Sequence, residues 1–305
     1  MVTENEEEEF FANLTANISF QKTFANEKEK EPLITMLNVF LAKKLAHQIV
    51  DVHIKNPYVA GQTSENRDSV FDILCKDSEG NQFMVEMQVG RQAYFLKRII
   101  FYVCMAIANN APKGDWDFNF TPIYSISFLN FELDFGNDDV IQYVSLSNEL
   151  HPEIRYNYIS MVLVRLTRFE KSIDECETLE DKLIFSLCHA HELKGKPPQF
   201  GEDVFDKIFS IARISNFTSD ELGKYEVDML HQRDMYAIRM TAINDGKAEG
   251  RVEGIAIGEA KGITIGKAEG IAIGEAKGEA KGRNEVLDLM AKGYSLEQIK
   301  DMLKS

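Results

Sequence analysis

The chain has 305 residues, of which 44% are apolar and 27% charged, and its formal net charge is −15. This is the composition of an ordinary globular protein. No apolar run approaches the ~18–20 residues needed to cross a bilayer, so no membrane segment is expected. The acidity argues against indiscriminate binding to nucleic acid, because phosphate contacts need clustered lysine and arginine.

The N-terminal stretch and the cysteines favour a cytoplasmic protein. Residues 1–12 are rich in glutamate where a signal peptide would be positively charged, and they are predicted to be an acidic disordered tail. The four cysteines lie far apart and lack Cys-x-x-Cys spacing. That usage is typical of reduced thiols in the cytoplasm.

Helical and strand patterns alternate through the first half of the chain, which predicts an α/β core over residues 13–168. In chain order, the predicted helices lie at 31–47 and 92–110, and the predicted strands at 50–54, 69–75, 82–89, 122–130, 139–147 and 158–166. Residues 169–243 are then predicted to form a helical extension, with helices at 179–191, 202–214 and 219–242.

Residues 69–89 have the pattern of a β-hairpin. Both flanks alternate as strands do, and the polar stretch 76–81 between them is a turn signal. With the turn centred on Glu79 and Gly80 in the left-handed region, residue i pairs with residue 158 − i. Asp72 would then lie opposite Glu86, with Met84 and Gln88 on the same face of the sheet.

Two opposed carboxylates could share one divalent cation. Cross-strand neighbours lie about 4.5–5.5 Å apart at Cβ, and like charges placed there destabilise a sheet unless something neutralises them. Mg²⁺ prefers oxygen ligands, usually one or two carboxylates with water and substrate phosphate. The pair therefore predicts a metal-assisted site for phosphodiester cleavage. The alternative is a pair of acids on a solvated sheet face.

The order helix, strand, strand with Asp72, strand with Glu86-x-Gln88, helix, strand resembles the PD-(D/E)XK nuclease superfamily. Within it, roughly residues 10–240 resemble the recombination-promoting nuclease (Rpn), or nuclease-family transposase, branch. The matching stretches are Phe24–Lys28, Leu33–Leu41, Asp72–Leu74, Val85–Gln88, Lys97–Tyr102 and Pro122–Leu129.

The resemblance implies a restriction-endonuclease-like α/β core, with a mixed central sheet flanked by helices. It implies that Asp72 and Glu86 bind Mg²⁺ or Mn²⁺, that Gln88 completes the catalytic set, and that the substrate is DNA in recombination or transposition.

The chain departs from the superfamily pattern at two places. Val70-Phe71 replaces the proline before the first acid, and Gln88 stands where the superfamily has lysine. A glutamine can orient a water molecule by hydrogen bonds but carries no charge for the transition state. Arg67, Lys97 or Arg98 could supply that charge. The candidate contacts to DNA phosphate are Arg67, Arg91, Lys97 and Arg98.

From Gly246 to Gly282 a glycine occupies every fourth position, ten of the nineteen in the chain. We call residues 246–282 the glycine ladder, within a predicted repeat segment at 244–283. As a helix, its glycine stripe drifts ~40° per repeat, and each glycine costs ~1 kcal/mol relative to alanine. A strand is disfavoured because alanine, glutamate and lysine are poor strand formers.

We therefore predict a long helix, followed by a short helical hairpin at 284–305. A glycine stripe permits close approach of a second helix, which suggests a homo-oligomer. A tolerated spacer is the alternative.

Two functions are consistent with the sequence. The first is a Mg²⁺-dependent DNA endonuclease whose ion polarises the scissile phosphate. The second is a catalytically degenerate nuclease fold that acts as an assembly module through the glycine ladder. The missing lysine and the charge of −15 favour the second. A phosphatase or RNase would differ from the first only in substrate.

Overall fold

The computed structural model describes residues 9–56, 58–59, 69–90, 94–110 and 114–303. The chain divides into two compact units, Met1–Met235 and Tyr236–Ser305. The helices are α1 Asn17–Phe24, α2 Glu31–Leu41, α3 Phe95–Asn110, α4 Leu179–His189, α5 Asp203–Ala212, α6 Ser219–Ala291 and α7 Leu296–Met302. The strands are β1 His53–Lys55, β2 Tyr58–Val59, β3 Ser69–Val70, β4 Ile73–Lys76, β5 Gln82–Gln88, β6 Ile123–Leu129, β7 Ile141–Ser147 and β8 Arg155–Arg165.

The first unit is built on a mixed six-stranded sheet in the order β1-β4-β5-β6-β8-β7. The central strands β5, β6 and β8 run parallel to one another. The outer pairs β1–β4, β4–β5 and β7–β8 are antiparallel. Strands β2 and β3 form a separate antiparallel ribbon. With helices on both faces, this is the α/β fold with a mixed central sheet that the sequence predicts.

Each face of the sheet packs on its own apolar core. One core joins the sheet to α1, α2, α4 and α5, and its members include Phe20, Leu37, Val85, Ile126, Leu183 and Phe205. The other joins the sheet to α3 through Met84, Ile99, Val103 and Leu163. Alternate residues of a strand point to opposite faces, so Met84 on the α3 side places Glu86 and Gln88 there too.

The predicted elements are present, with shifts at their ends. The first predicted helix ends at Leu41 instead of residue 47, because the chain turns at Lys43 and Lys44. The predicted strand at 69–75 is interrupted, since Phe71 and Asp72 lie between β3 and β4. This break places the first acid of the candidate site outside the regular strand.

The glycine ladder is helical throughout, as predicted, and belongs to the 73-residue helix α6. Its six isoleucines are exposed, each with 49–63% of its surface accessible to solvent. Those isoleucines are Ile255, Ile257, Ile263, Ile265, Ile271 and Ile273. No helix in the described ranges combines the length and apolar character needed to cross a membrane.

Candidate active site

The hairpin of β4 and β5 has the predicted register. Ile73 pairs with Val85 and Lys76 with Gln82, and each pair of residue numbers adds up to 158. Gly80 has a φ of +88°, and its N–H donates to the carbonyl oxygen of Asp77 over 3.2 Å. The turn therefore fixes the alignment of the two strands, and Asp72 comes one residue before the first residue of β4 that pairs with β5.

Asp72 is held against β5 by a hydrogen bond. Its Oδ2 accepts the backbone N–H of Met87 over 2.6 Å. Burial raises the pKa of Asp72, while this bond and the charge of Arg98 oppose the rise. The strand is broken between β3 and β4. The side chain of Asp72, and not its backbone, therefore bonds to β5 just beyond the last backbone pairing of β4 with β5.

Glu86 is the most deeply buried of the predicted site residues that the structure describes. Its side chain lies on a central strand, the residue is only 6% exposed, and its Oε1 makes no hydrogen bond within the described protein. Burial, and next the charge of Asp72, raise the pKa of Glu86 to about 8, against the effect of Arg98. Buried polar atoms normally have partners, so this oxygen marks a place where a ligand is expected.

Gln88 contacts a cation. Its Oε1 accepts a short hydrogen bond from Nη2 of Arg98, which lies on the first turn of α3. The guanidinium carbon of Arg98 is 5.5 Å from the ring centre of Phe95 and 5.7 Å from that of Tyr102. The helix α3 therefore brings one positive charge to the face that carries Asp72 and Glu86.

Of the other three predicted cations, the structure describes only Lys97, and it makes no contact with Gln88 among the described interactions. Lys97 is exposed, with its Nζ 5.2 Å from the ring centre of Tyr94. Arg67 and Arg91 lie outside the described residues. The structure thus brings together four of the seven predicted site residues: Asp72, Glu86, Gln88 and Arg98.

Sequence reasoning missed Ser127. This residue of β6 is the register partner of Glu86 on β5, and it is fully buried with no hydrogen bond from its hydroxyl within the described chain. Nε of Arg98 is likewise buried without a partner. The pairing of β5 with β6 is a long-range contact, so no local pattern marks Ser127.

Asp228 of α6 was also missed. Its Oδ2 accepts the backbone N–H of Ile18 over 2.9 Å, at the start of α1, where Ala16 offers no capping side chain. Its charge adds to the rise in the pKa of Asp72. Seven residues on, the methyl carbon of Met235 lies 3.6 Å from where a side chain at Gly90 would begin. This face of α6 therefore runs past the end of β5.

The donor set fits a cation that keeps most of its water. Within the described residues, no three His, Cys, Asp or Glu side chains converge closely enough to hold an ion. Mg²⁺, however, is usually held by one or two carboxylates, with water and substrate phosphate completing its shell. Asp72 and Glu86 offer two carboxylates of this kind, and Oε1 of Glu86 has no hydrogen-bond partner in the described part of the chain.

Comparison with known proteins identifies a family. A family model for the PD-(D/E)XK nuclease family transposases matches residues 15–242. No curated protein and no solved structure matches the chain. The matched range includes the whole hairpin, α3 and Asp228.

Proposed function

Because the chain belongs to the PD-(D/E)XK nuclease family transposases, we propose that it is a divalent-metal-dependent DNA endonuclease. Its role would be in recombination or transposition. The observation that carries the proposal is the carboxylate pair at the β4–β5 hairpin. One oxygen of the pair, Oε1 of Glu86, is buried without a hydrogen-bond partner in the described protein. Two acids in this setting strongly favour a cation that neutralises them.

Each residue of the site has a proposed role. Asp72 and Glu86 would hold Mg²⁺ or Mn²⁺, which polarises the scissile phosphate and lowers the pKa of the attacking water. In hydrolysis the water oxygen bonds to phosphorus and its proton passes to solvent. The bond to one ester oxygen breaks, and that oxygen leaves with the electron pair and takes up a proton from water. Gln88 would use its hydrogen bonds to position the side chains that contact the phosphate.

Arg67, Arg91, Lys97 and Arg98 are the proposed contacts to DNA phosphate. The net charge of −15 makes DNA binding weak and strongly dependent on salt. The cytoplasm is the proposed location, in keeping with the four free cysteines of the chain.

A plasmid-nicking assay tests the function. Supercoiled DNA is incubated with the purified full chain at low salt in Mg²⁺, Mn²⁺ or EDTA, and a structured RNA is run in parallel. We expect nicking of DNA with either ion and none with EDTA. Cleavage of RNA alone would reassign the substrate. Folded protein that cleaves nothing with either ion would contradict the nuclease.

The second candidate function is assembly through the glycine ladder, with or without catalysis. Two observations favour it: the exposed isoleucines, and the open space around the glycines. A Cβ added to any ladder glycine would meet nothing within 4 Å outside its own helix. A surface of this kind admits the close approach of another helix, so we propose a homo-oligomer through residues 246–282.

Alanine substitutions in the ladder separate an interface from a spacer. The variant carries alanine at Gly254, Gly262, Gly270 and Gly278. Each substitution should favour the helix by about 1 kcal/mol, so helicity measured by circular dichroism should rise. If copies meet through the glycines, the oligomer seen by light scattering should nevertheless dissociate, because the added methyl groups hold the helices apart.

The matched control changes small residues on the opposite side of the ladder to serine. Its positions are Ala256, Ala260, Ala268 and Ala272. This control should keep the oligomer. A monomeric wild type, or an alanine variant with the mass of the wild type, would refute assembly through the glycines.

A further inference from the structure

Arg98 is held in place from several directions. Its Nη2 donates to Oε1 of Gln88, and its guanidinium carbon lies within 6 Å of the ring centres of both Phe95 and Tyr102. Arginine on an aromatic face is stabilised by the ring quadrupole. A long side chain fixed in this way has already lost the rotamer freedom that a free surface arginine would lose on binding a phosphate.

The charge of Arg98 acts on both carboxylates of the hairpin. It lowers the pKa of Asp72 and that of Glu86, although burial of each group prevails. Besides the Nη2 that donates to Gln88, the guanidinium carries further N–H groups, of which Nε is itself buried. A planar fork of this kind matches the oxygens of a phosphate group.

Gln88 cannot fully serve as a water-orienting group while it holds Arg98. Its Oε1 is occupied by the guanidinium, which leaves the Nε2 donors and the second lone pair of the oxygen. An attacking water could donate a hydrogen bond only to the remaining lone pair of Oε1, because the other is occupied by the guanidinium of Arg98. The geometry therefore suits Gln88 to hold Arg98.

We propose that Arg98 is the catalytic cation of this site, contacting the scissile phosphate, and that Gln88 is the positioning residue that aims it. The inference rests on the proposed function, because it assumes that a phosphodiester is cleaved at Asp72 and Glu86. Lys97 does not fill this role, since it is exposed beside Tyr94 and its amine makes no contact with Gln88 among the described interactions.

Variants that place the positive charge at position 88 instead of position 98, and keep the hydrogen bond between the two side chains, test the proposal. In Arg98→Gln the cation is lost. In the double variant Gln88→Lys/Arg98→Gln a new ammonium at position 88 can donate to the amide oxygen at position 98, so the bond survives with the charge at its other end. Lys97→Gln is the contrasting variant, because it removes a neighbouring charge from the same turn of α3.

We expect Arg98→Gln to lower kcat for plasmid nicking by roughly 10²–10³-fold, the loss typical of removing one stabilising group from a transition state. The double variant should recover at least about tenfold of that loss. Lys97→Gln should raise KM and reduce the salt dependence, with kcat within about threefold of the wild type.

Ion binding provides a readout that damage to the fold would not imitate. Removing a cation beside two carboxylates should tighten Mn²⁺ binding, measured by titration calorimetry, by about three- to tenfold. Unfolding would weaken it. Wild-type kcat in Arg98→Gln, or no recovery in a folded double variant, would overturn the role of Arg98 while leaving the nuclease intact. A wild type that cleaves nothing would overturn the proposed function and this inference together.

Discussion

Replacing Asp72 by Asn or Glu86 by Gln is expected to abolish Mg²⁺-dependent nicking, with a fall in kcat on the order of 10³-fold or more. Both changes remove a negative charge with little change in shape. A bound cation contributes several kcal/mol to the transition state, and each 1.36 kcal/mol is a factor of about ten in rate. Titration with Mn²⁺ should show the same loss, since either variant leaves a single carboxylate to hold the ion.

The two variants are chosen so that the fold survives. The amide oxygen of Asn at position 72 can still accept the N–H of Met87, which the carboxylate accepts in the wild type. Gln at position 86 replaces a buried carboxyl group, whose pKa is raised to about 8, by a neutral amide of the same shape, so stability should not fall. Glu149→Gln is the matched control, because Glu149 is an exposed acid two residues beyond the end of β7. Cleavage at the wild-type rate by either site variant would eliminate the mechanism.

The carboxylate pair could be predicted from the sequence because its register is a local property. The stretch 77–81 sets the turn through side-chain bonds from Asp77, whose Oδ1 accepts the N–H groups of Glu79 and Asn81. Gly80 then takes the left-handed conformation that other residues avoid. Everything needed to align β4 with β5 lies within a few residues of the turn.

The partners of the pair could not be predicted in the same way. Arg98 could be suggested only as one of several nearby cations, because its contact with Gln88 depends on how α3 docks on the sheet. Ser127 reaches Glu86 through a parallel pairing, and Asp228 comes from a helix more than a hundred residues further along the chain. Such contacts follow from packing of the whole domain, which no local pattern reports.

The full length of α6 could not be predicted from the sequence. Helices were predicted at 219–242 and along the ladder, but not their fusion into one helix of 73 residues. Glycine weakens a helix interior but does not end the helix, because it has a backbone N–H donor and can adopt helical φ and ψ angles. Residues 243–245 contain no proline, so helical hydrogen bonding continues through them.

Without a bound ion, the stability of the wild type should fall as the pH rises from about 5 to 8.5. The pKa of Glu86 is about 8 in the folded chain, against an ordinary value of 4.5. Between these two values the folded state binds more protons than the unfolded state, so raising the pH favours unfolding. A tenfold difference in proton affinity between the two states corresponds to about 1.4 kcal/mol of stability. Because the buried site relaxes when Glu86 ionises, we expect a loss of about 2–4 kcal/mol in the free energy of unfolding.

Thermal unfolding in EDTA measures this loss. For a domain of this size, 2–4 kcal/mol corresponds to a fall in Tm of roughly 5–12 °C. Glu86→Gln, which cannot ionise, should show a much flatter profile and should be more stable than the wild type at pH 8.5. The exposed control Glu149→Gln should follow the wild type. Identical profiles for wild type and Glu86→Gln would mean that Glu86 is not buried as the structure has it.

Saturating Mn²⁺ should remove this pH dependence from the wild type and leave the flat profile of Glu86→Gln unchanged. The ion binds the ionised pair, so its binding energy replaces the proton that Glu86 loses as the pH rises. The same burial that destabilises the ion-free carboxylates therefore makes them selective for a cation. Burial of the two carboxylates lowers the stability of the ion-free chain, and the bound ion restores it. The difference in Tm between Mn²⁺ and EDTA should therefore widen as the pH rises.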